Sequence, residues 1–310
     1  MERKTRVMTF AINKGGTGKT TSSLITALLL TDKGFKVLVI DNDPQGNSTG
    51  FSGIEPDEET LTLEDIYVNI NENTPDINED AEKDYIMDAI LESPNGYDII
   101  PCTNALAGIE NQYNSASHLF TLKRACKAIE GEYDFIIIDN PPAINTLAGC
   151  GMMAADDVIF PIEPSGSVEM SILNNVNFIN TLVETTGQNI RVDRFLIIRM
   201  NGNDPELIEQ VENLEEVAEN VFGCKIAKPF IRDCRPLKKS FSLNSTLPES
   251  LKERKPTALF DYVQVVEEYL NDHGYNHNSF VSGSIKEDGS ISLKYKIPFM
   301  KKKTEKTDIE

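Results

Sequence analysis

With 310 residues, a net charge of −19 and a 40% apolar fraction, the chain has material for one large α/β domain with elaborations. No apolar run approaches the roughly 20 residues of a membrane-spanning helix, and Met1–Arg6 lacks a signal-type apolar region and cleavage site. Five cysteines, with no C-x-x-C pair, exclude a secreted disulfide framework and read as reduced thiols of a cytoplasmic protein.

The first predicted strand, Val7–Ile12, runs into the glycine loop Lys14-Gly15-Gly16-Thr17-Gly18-Lys19-Thr20-Thr21 and then the helix Ser22–Leu30. Backbone N–H groups of such a loop form an anion-binding concavity, and the helix N-terminus adds partial positive charge. Lys19 is expected to reach β- and γ-phosphate oxygens, with the Thr20 hydroxyl on Mg²⁺. Asn13 stands where the ordinary P-loop has its first glycine, and a second lysine, Lys14, precedes the glycine pair.

Gly34 stops the helix, and Lys36–Asp41 reads as a buried strand. It leads into Asp41-Asn42-Asp43-Pro44-Gln45-Gly46-Asn47. From about 53 to 94 the chain is acidic: Glu55–Glu92 holds fourteen Asp/Glu against Lys83 alone. That stretch reads as a surface elaboration rather than core. Further apolar runs at Tyr97–Pro101, Phe135–Asp139, Val158–Ile162 and Phe195–Ile198 alternate with helical patterns. The helices are expected at Leu119–Ile129, Val168–Val183, Leu207–Val221 and Leu259–Leu270. The fold class is therefore α/β, a mostly parallel twisted sheet flanked by helices on both faces. Ligands of such sheets bind outside the carboxyl ends of the strands, where Lys14–Thr21, Asp41 and Asp139 would lie. Residues 1–272 make one domain; 273–310 add a β-hairpin around Asp288-Gly289 and a charged tail expected to be disordered.

In this order, and each at a strand end, these segments resemble the ParA-type ATPases of the deviant-Walker P-loop group, which also holds MinD-type regulators and nitrogenase iron protein relatives. The resemblance covers about residues 5 to 272 and rests on Lys14–Thr21, Asp41–Thr49, Asp134–Pro142 and Ala154–Ile162. It implies ATP and Mg²⁺ as cofactors, with Lys14 reaching across a nucleotide-sandwich homodimer to the partner's phosphates. It further implies that Gly15, Gly16, Thr17, Gly18, Lys19, Thr20 and Thr21 bind nucleotide. Asp43 would orient the attacking water, and Thr20, Asp41 and Asp139 would attend the metal. Adenine contacts are expected from Asn201 and Phe230, each of which reads equally as an ordinary loop asparagine and a core phenylalanine.

The family coats DNA non-specifically, and Arg232, Arg235, Lys238 and Lys239 are the matching basic residues, within a stretch (Lys225–Lys239) whose one acid is Asp233. The expected function is plasmid or chromosome partition with a centromere-binding partner, in a cytoplasmic, nucleoid-associated protein. The alternatives are a MinD-type membrane-associated regulator, which needs a C-terminal amphipathic helix, an electron-transfer ATPase with a cluster on Cys102 and Cys150, and a non-enzymatic scaffold. The period-two pattern of Leu293, Tyr295, Ile297 and Phe299 suits a strand better than that helix.

Overall fold

Short, wholly apolar strands need cover on both faces, and the chain provides it by alternating them with helices. A computed structural model describes residues 4–72, 79–113, 115–166, 168–200, 205–241, 245–285 and 291–300. The first half contains β1 (Arg6–Phe10), α1 (Lys19–Asp32), β2 (Val37–Asp41), α2 (Asn47–Phe51), α3 (Leu63–Glu72) and α4 (Glu79–Asp88). Next come β3 (Leu91–Glu92), β4 (Asp98–Ile100), α5 (Leu106–Gln112), α6 (Thr121–Ala128), β5 (Phe135–Asp139) and α7 (Thr146–Ala154). Then follow β6 (Asp157–Ile162), α8 (Val168–Thr186), β7 (Val192–Ile197), α9 (Pro205–Val217) with a π-turn at Ala218–Phe222, and β8 (Lys225–Ile226). The chain closes with α10 (Arg235–Lys238), α11 (Leu247–Arg254), α12 (Thr257–Asp272) and the hairpin β9 (Val281–Ile285) and β10 (Ile291–Tyr295).

The main sheet has the order β3-β4-β2-β5-β1-β6-β7-β8, parallel except for β3. Pairing of β1 with β5 aligns Phe10 with Asp139, and pairing of β2 with β5 aligns Asp41 with Asp139. The P-loop and both aspartates therefore emerge at one carboxyl edge, as expected. Alternate strand residues serve opposite faces. Val37, Val39, Phe135 and Ile137 join the core under α1 and α12; Leu38, Ile40, Ile136 and Ile138 join the one under α3, α6 and α7. The opposite edge is held by Asp157, which accepts from Arg6 (2.6 Å), Arg191 (2.9 Å) and Tyr269 (2.6 Å).

Two expectations need correcting. The acidic 53–94 stretch is not merely a surface elaboration. In α3, Leu63, Ile66, Tyr67 and Ile70 are buried in the same core as Leu38, Ile100 and Ile136, and Ile86 of α4 joins them. Most acids of these helices lie on their outer faces, while Glu64 and Glu82 are themselves buried and accept from Thr103 (3.2 Å) and Arg124 (2.9 Å). Strand β7 begins three residues earlier than its apolar run, because Asp193 and the buried Arg194 pair with each other at 2.6 Å and Arg194 also meets Asp272. The hairpin forms as expected, with Ile291 opposite Ile285; its Asp288-Gly289 turn and the 301–310 tail lie outside the described residues. Phe280 and Ile297, at its two ends, are buried against the core that holds α12.

Candidate functional site

Gly18 caps α1 with φ 72°, a left-handed conformation that favours glycine. A side chain there would also press on Ile198, 3.1 Å from where its Cβ would stand. The loop consequently closes tightly around Lys19, only 6% exposed, whose Nζ donates to the carbonyls of Lys14 (3.0 Å) and Ile12 (3.3 Å). Burial holds its ammonium down at about 8, against the pull of Asp139 and Asp43 in the other direction. A buried cation resting on weak carbonyl partners beside a glycine loop suits a phosphate anion. Lys14 points elsewhere: its Nζ donates to Ser165 Oγ at 2.8 Å.

The cleft beside this loop has a volume of about 310 Å³ and is lined by Gly16–Thr21 with Asp43, Gln45, Asn47, Pro142 and Arg199. Asp43 accepts from the Gln45 N–H at 3.0 Å and presents its carboxylate to the cleft. Asp41 does not line it. Wholly buried, it accepts from Thr49 N–H and Oγ1 (both 2.7 Å), which fastens the start of α2 to the end of β2. Asp139 lies beneath the loop and accepts from Ser23 (3.2 Å) and Ser48 (2.7 Å), with the Thr20 hydroxyl beside it. Of the two, Asp139 is thus the carboxylate next to Thr20.

Behind these groups runs a buried amide web. Asn42 Nδ2 donates to Asn140 Oδ1 (2.7 Å) and Leu147 O (2.8 Å), Asn140 Nδ2 donates to Thr9 (2.8 Å), and Tyr67 OH donates to Asn42 Oδ1 (3.1 Å). Gly151 on α7 leaves the room: a Cβ there would collide with the Asn140 amide.

A smaller cavity of about 50 Å³ continues from the cleft, sharing Gly18, Thr21 and Arg199 and adding Ile198, Ile231, Arg232, Asp233 and Leu237. Phe230 lines neither space; it packs on the core of β6 and β7, with the Lys228 ammonium 4.2 Å from its ring centre. Asn201 lies outside the described residues. Arg199, which the sequence reading missed, ion-pairs with Glu163 at 2.6 Å and holds φ 57°, a strained value for a side-chain-bearing residue. Its one signal is a charge ending an apolar run at the carboxyl edge of the sheet.

Among the four basic candidates for DNA, Arg232 is taken up by Asp261 (2.7 Å) and Lys238 by Asp233 (2.7 Å). Arg235 and Lys239 are exposed on and just after α10. Cys102 and Cys150 are both buried, against the carbonyls of Asp43 and His118, which removes them as ligands at a surface shared by two copies. Among the described residues no helix is long and apolar enough to cross a membrane.

Burial and mutual repulsion raise Asp41 to about 7, and burial raises Asp139 to about 6. In the unfolded chain both titrate near ~4. Between about pH 4 and 7 the folded protein therefore holds protons that the unfolded one releases, and these groups contribute less stability as pH rises through that window. The expected outcome is that ligand-free Asp41→Asn gains on the wild type between pH 5 and 8 by on the order of 1–3 kcal/mol. Urea unfolding at both pH values checks this; a pH-independent difference would show that Asp41 stays ionised.

The geometry can be set beside known proteins. A family model described as AAA domain matches residues 5–192. The sporulation initiation inhibitor protein Soj of Bacillus subtilis is 28% identical over 258 residues, 83% of this chain and 91% of that protein. The chromosome partitioning protein ParA of Caulobacter vibrioides is 34% identical over 161 residues, 51% of this chain and 56% of that protein. Among solved structures, a plasmid partition protein of Borrelia burgdorferi bound to AMPPNP superposes with a TM-score of 0.64 at 22% identity, over 87% of this chain and 99% of that one.

Proposed function

The chain belongs to the AAA domain family, in its ParA/Soj-type P-loop ATPase branch, and from that premise we propose that it is an ATP-dependent, dimerising ATPase of plasmid or chromosome partition. One observation carries the reading: a buried Lys19 and a cleft-facing Asp43 share one open cleft with the glycine loop, while Lys14 stands outside that cleft.

In this reading the loop N–H groups and Lys19 hold the β- and γ-phosphates of ATP, and Thr20, backed by Asp139, holds Mg²⁺. The metal, when bound, neutralises charge developing between those phosphates. Asp43 orients the water that attacks the γ-phosphate. Asp41 acts through Thr49, keeping the Asp43 turn at its distance from Lys19. The small cavity between Ile198 and Ile231 receives the base. Lys14 reaches the phosphates of a second copy, so that dimerisation depends on ATP and ends with hydrolysis. A centromere-binding partner accelerates that step, and the protein works in the cytoplasm, on the nucleoid.

Non-specific DNA is the proposed substrate surface of the ATP dimer, contacted through Arg235 and Lys239. Co-sedimentation with plasmid DNA is expected only with ATP and is expected to be lost in Arg235→Glu with Lys239→Glu. With roughly two to four phosphate contacts, log K falls against log salt with a slope of about −2 to −4. Binding to anionic liposomes without any binding to DNA would reject partition.

A further inference from the structure

The C-terminal hairpin has two unlike faces. Side chains alternate along β10, and Tyr295, paired across the ribbon with Val281, turns inward together with Ile297. The Tyr295 ring centre lies 4.4 Å from that of Phe260 on α12, and its hydroxyl accepts from Gln264 (3.0 Å). The outer face presents Lys294, Lys296 and Ser282, all exposed, with Lys294 opposite Ser282. From Ile291 to Lys303 the sequence holds five lysines and no acid, while the residues joining the two strands add Glu287 and Asp288 against Lys286.

This basic face continues onto its neighbours. Helix α12 also carries Asp261, which holds Arg232, and the turn Pro298–Met300 packs on α11. In a chain with 49 acids and 30 bases an exposed cation readily finds a carboxylate, as Lys83, Arg191 and Lys228 do. On or just after α10, α11 and β10, Arg235, Lys239, Arg254, Lys255, Lys294 and Lys296 are exposed with no ion-pair partner among the described residues. Acids in these elements are few: Asp233 pairs with Lys238 (2.7 Å), Glu249 caps α11, and Glu253 is exposed. On α12 beside the hairpin, Asp261 is taken by Arg232 and Glu267 by Lys33 (both 2.7 Å).

We propose that the hairpin is a second contact for duplex DNA, one that each protomer carries whole and that needs no nucleotide. Lysine ammoniums and serine hydroxyls on a two-stranded ribbon meet phosphates as point charges and hydrogen-bond donors, and read no base. Other polyanions ask for more than this face offers. An anionic membrane takes up apolar side chains, and here Phe280 (7% exposed) and Ile297 (2%) are turned into the core. A single strand stacks its bases on aromatic rings, and Tyr295 is packed on Phe260. Among the described residues, none of the hairpin lines the nucleotide cleft. A lone protomer therefore touches DNA weakly, and an ATP dimer, with two ribbons, holds it more tightly by effective concentration. The contact stands on this surface alone; its use in partition rests on the reading above.

With roughly two to four phosphate contacts on an acidic chain, one ribbon is too weak to co-sediment DNA at physiological salt and is read at low salt. The test is fluorescence anisotropy of a labelled duplex of about 20 base pairs, two helical turns, with the full chain and no nucleotide. The wild type is expected to bind unrelated sequences alike. Lys294→Gln with Lys296→Gln is expected to weaken binding about tenfold and to flatten the slope of log K against log salt by about 2. Both positions are exposed, so circular dichroism and ATP binding of this variant stay as in the wild type. Absence of nucleotide-free binding in the wild type, or equal binding by the variant, overturns the proposal. So does tighter binding to single strands, or binding to anionic liposomes that the variant loses. The partition reading is judged separately, on the gain in DNA binding when ATP is added. Ribbon binding without that gain overturns the partition reading and leaves the ribbon standing; the gain without nucleotide-free binding overturns the ribbon alone.

Discussion

Replacing Lys14 with alanine is expected to abolish ATP-dependent dimerisation while each protomer still binds ATP. The cleft lining begins at Gly16, and Lys14 turns from it to Ser165. A lysine at the edge of the loop that does not reach its own cleft is the donor on which the proposed dimer would draw. Turnover should fall by about 10²–10³, the weight of one charge-stabilising donor at a transition state. Lys19→Ala is the contrasting variant: removing the buried ammonium should eliminate ATP binding itself. Light scattering after size exclusion, with and without ATP, separates the two. A Lys14→Ala chain that still dimerises with ATP would end the case for a lysine supplied in trans.

Asp43→Ala is expected to do the opposite, retaining the ATP dimer and slowing hydrolysis by about 10²–10⁴, the usual contribution of a positioned general base. Asp43 is the aspartate that lines the cleft, whereas Asp41 and Asp139 are wholly buried and committed to hydroxyl and N–H donors. Single-turnover hydrolysis with dimer lifetime measured in parallel tests this. Wild-type turnover in the variant would assign the water to another group.

Much of this arrangement was legible in the residues. Phe135–Asp139 is a strand with the bounds its apolar run announces, and the loop from Lys14 to Thr21 opens α1 where glycine chemistry requires. What was hidden was hidden by charge. The apolar stripe of α3 is interrupted by Glu64, Asp65, Asn69 and Asn71, so composition masked a core helix. Strand β7 starts inside an Asp–Arg pair that neutralises itself only once folded. Phe230 lies off the cavity, and Arg199 on it, for a reason of local geometry. Met200 and Ile231 are bonded across the loops at 3.0 Å, which aligns Ile231 and its successors with the cavity and leaves Phe230 on the neighbouring core. No periodicity in one strand reports such a pairing.

The amide web behind the cleft bears on when the site comes into being. Its bonds join Asn42 to Asn140 and Thr9 to Asn140 across sequence separations of 98 and 131 residues, and α3 adds Tyr67. Contacts this distant in the chain form only after large loops have closed, at an entropic cost met before any local gain. Competence for nucleotide is therefore among the last properties the chain acquires. A nascent or half-unfolded copy lacks the spacing between its two strand ends, and with it the cleft that they frame.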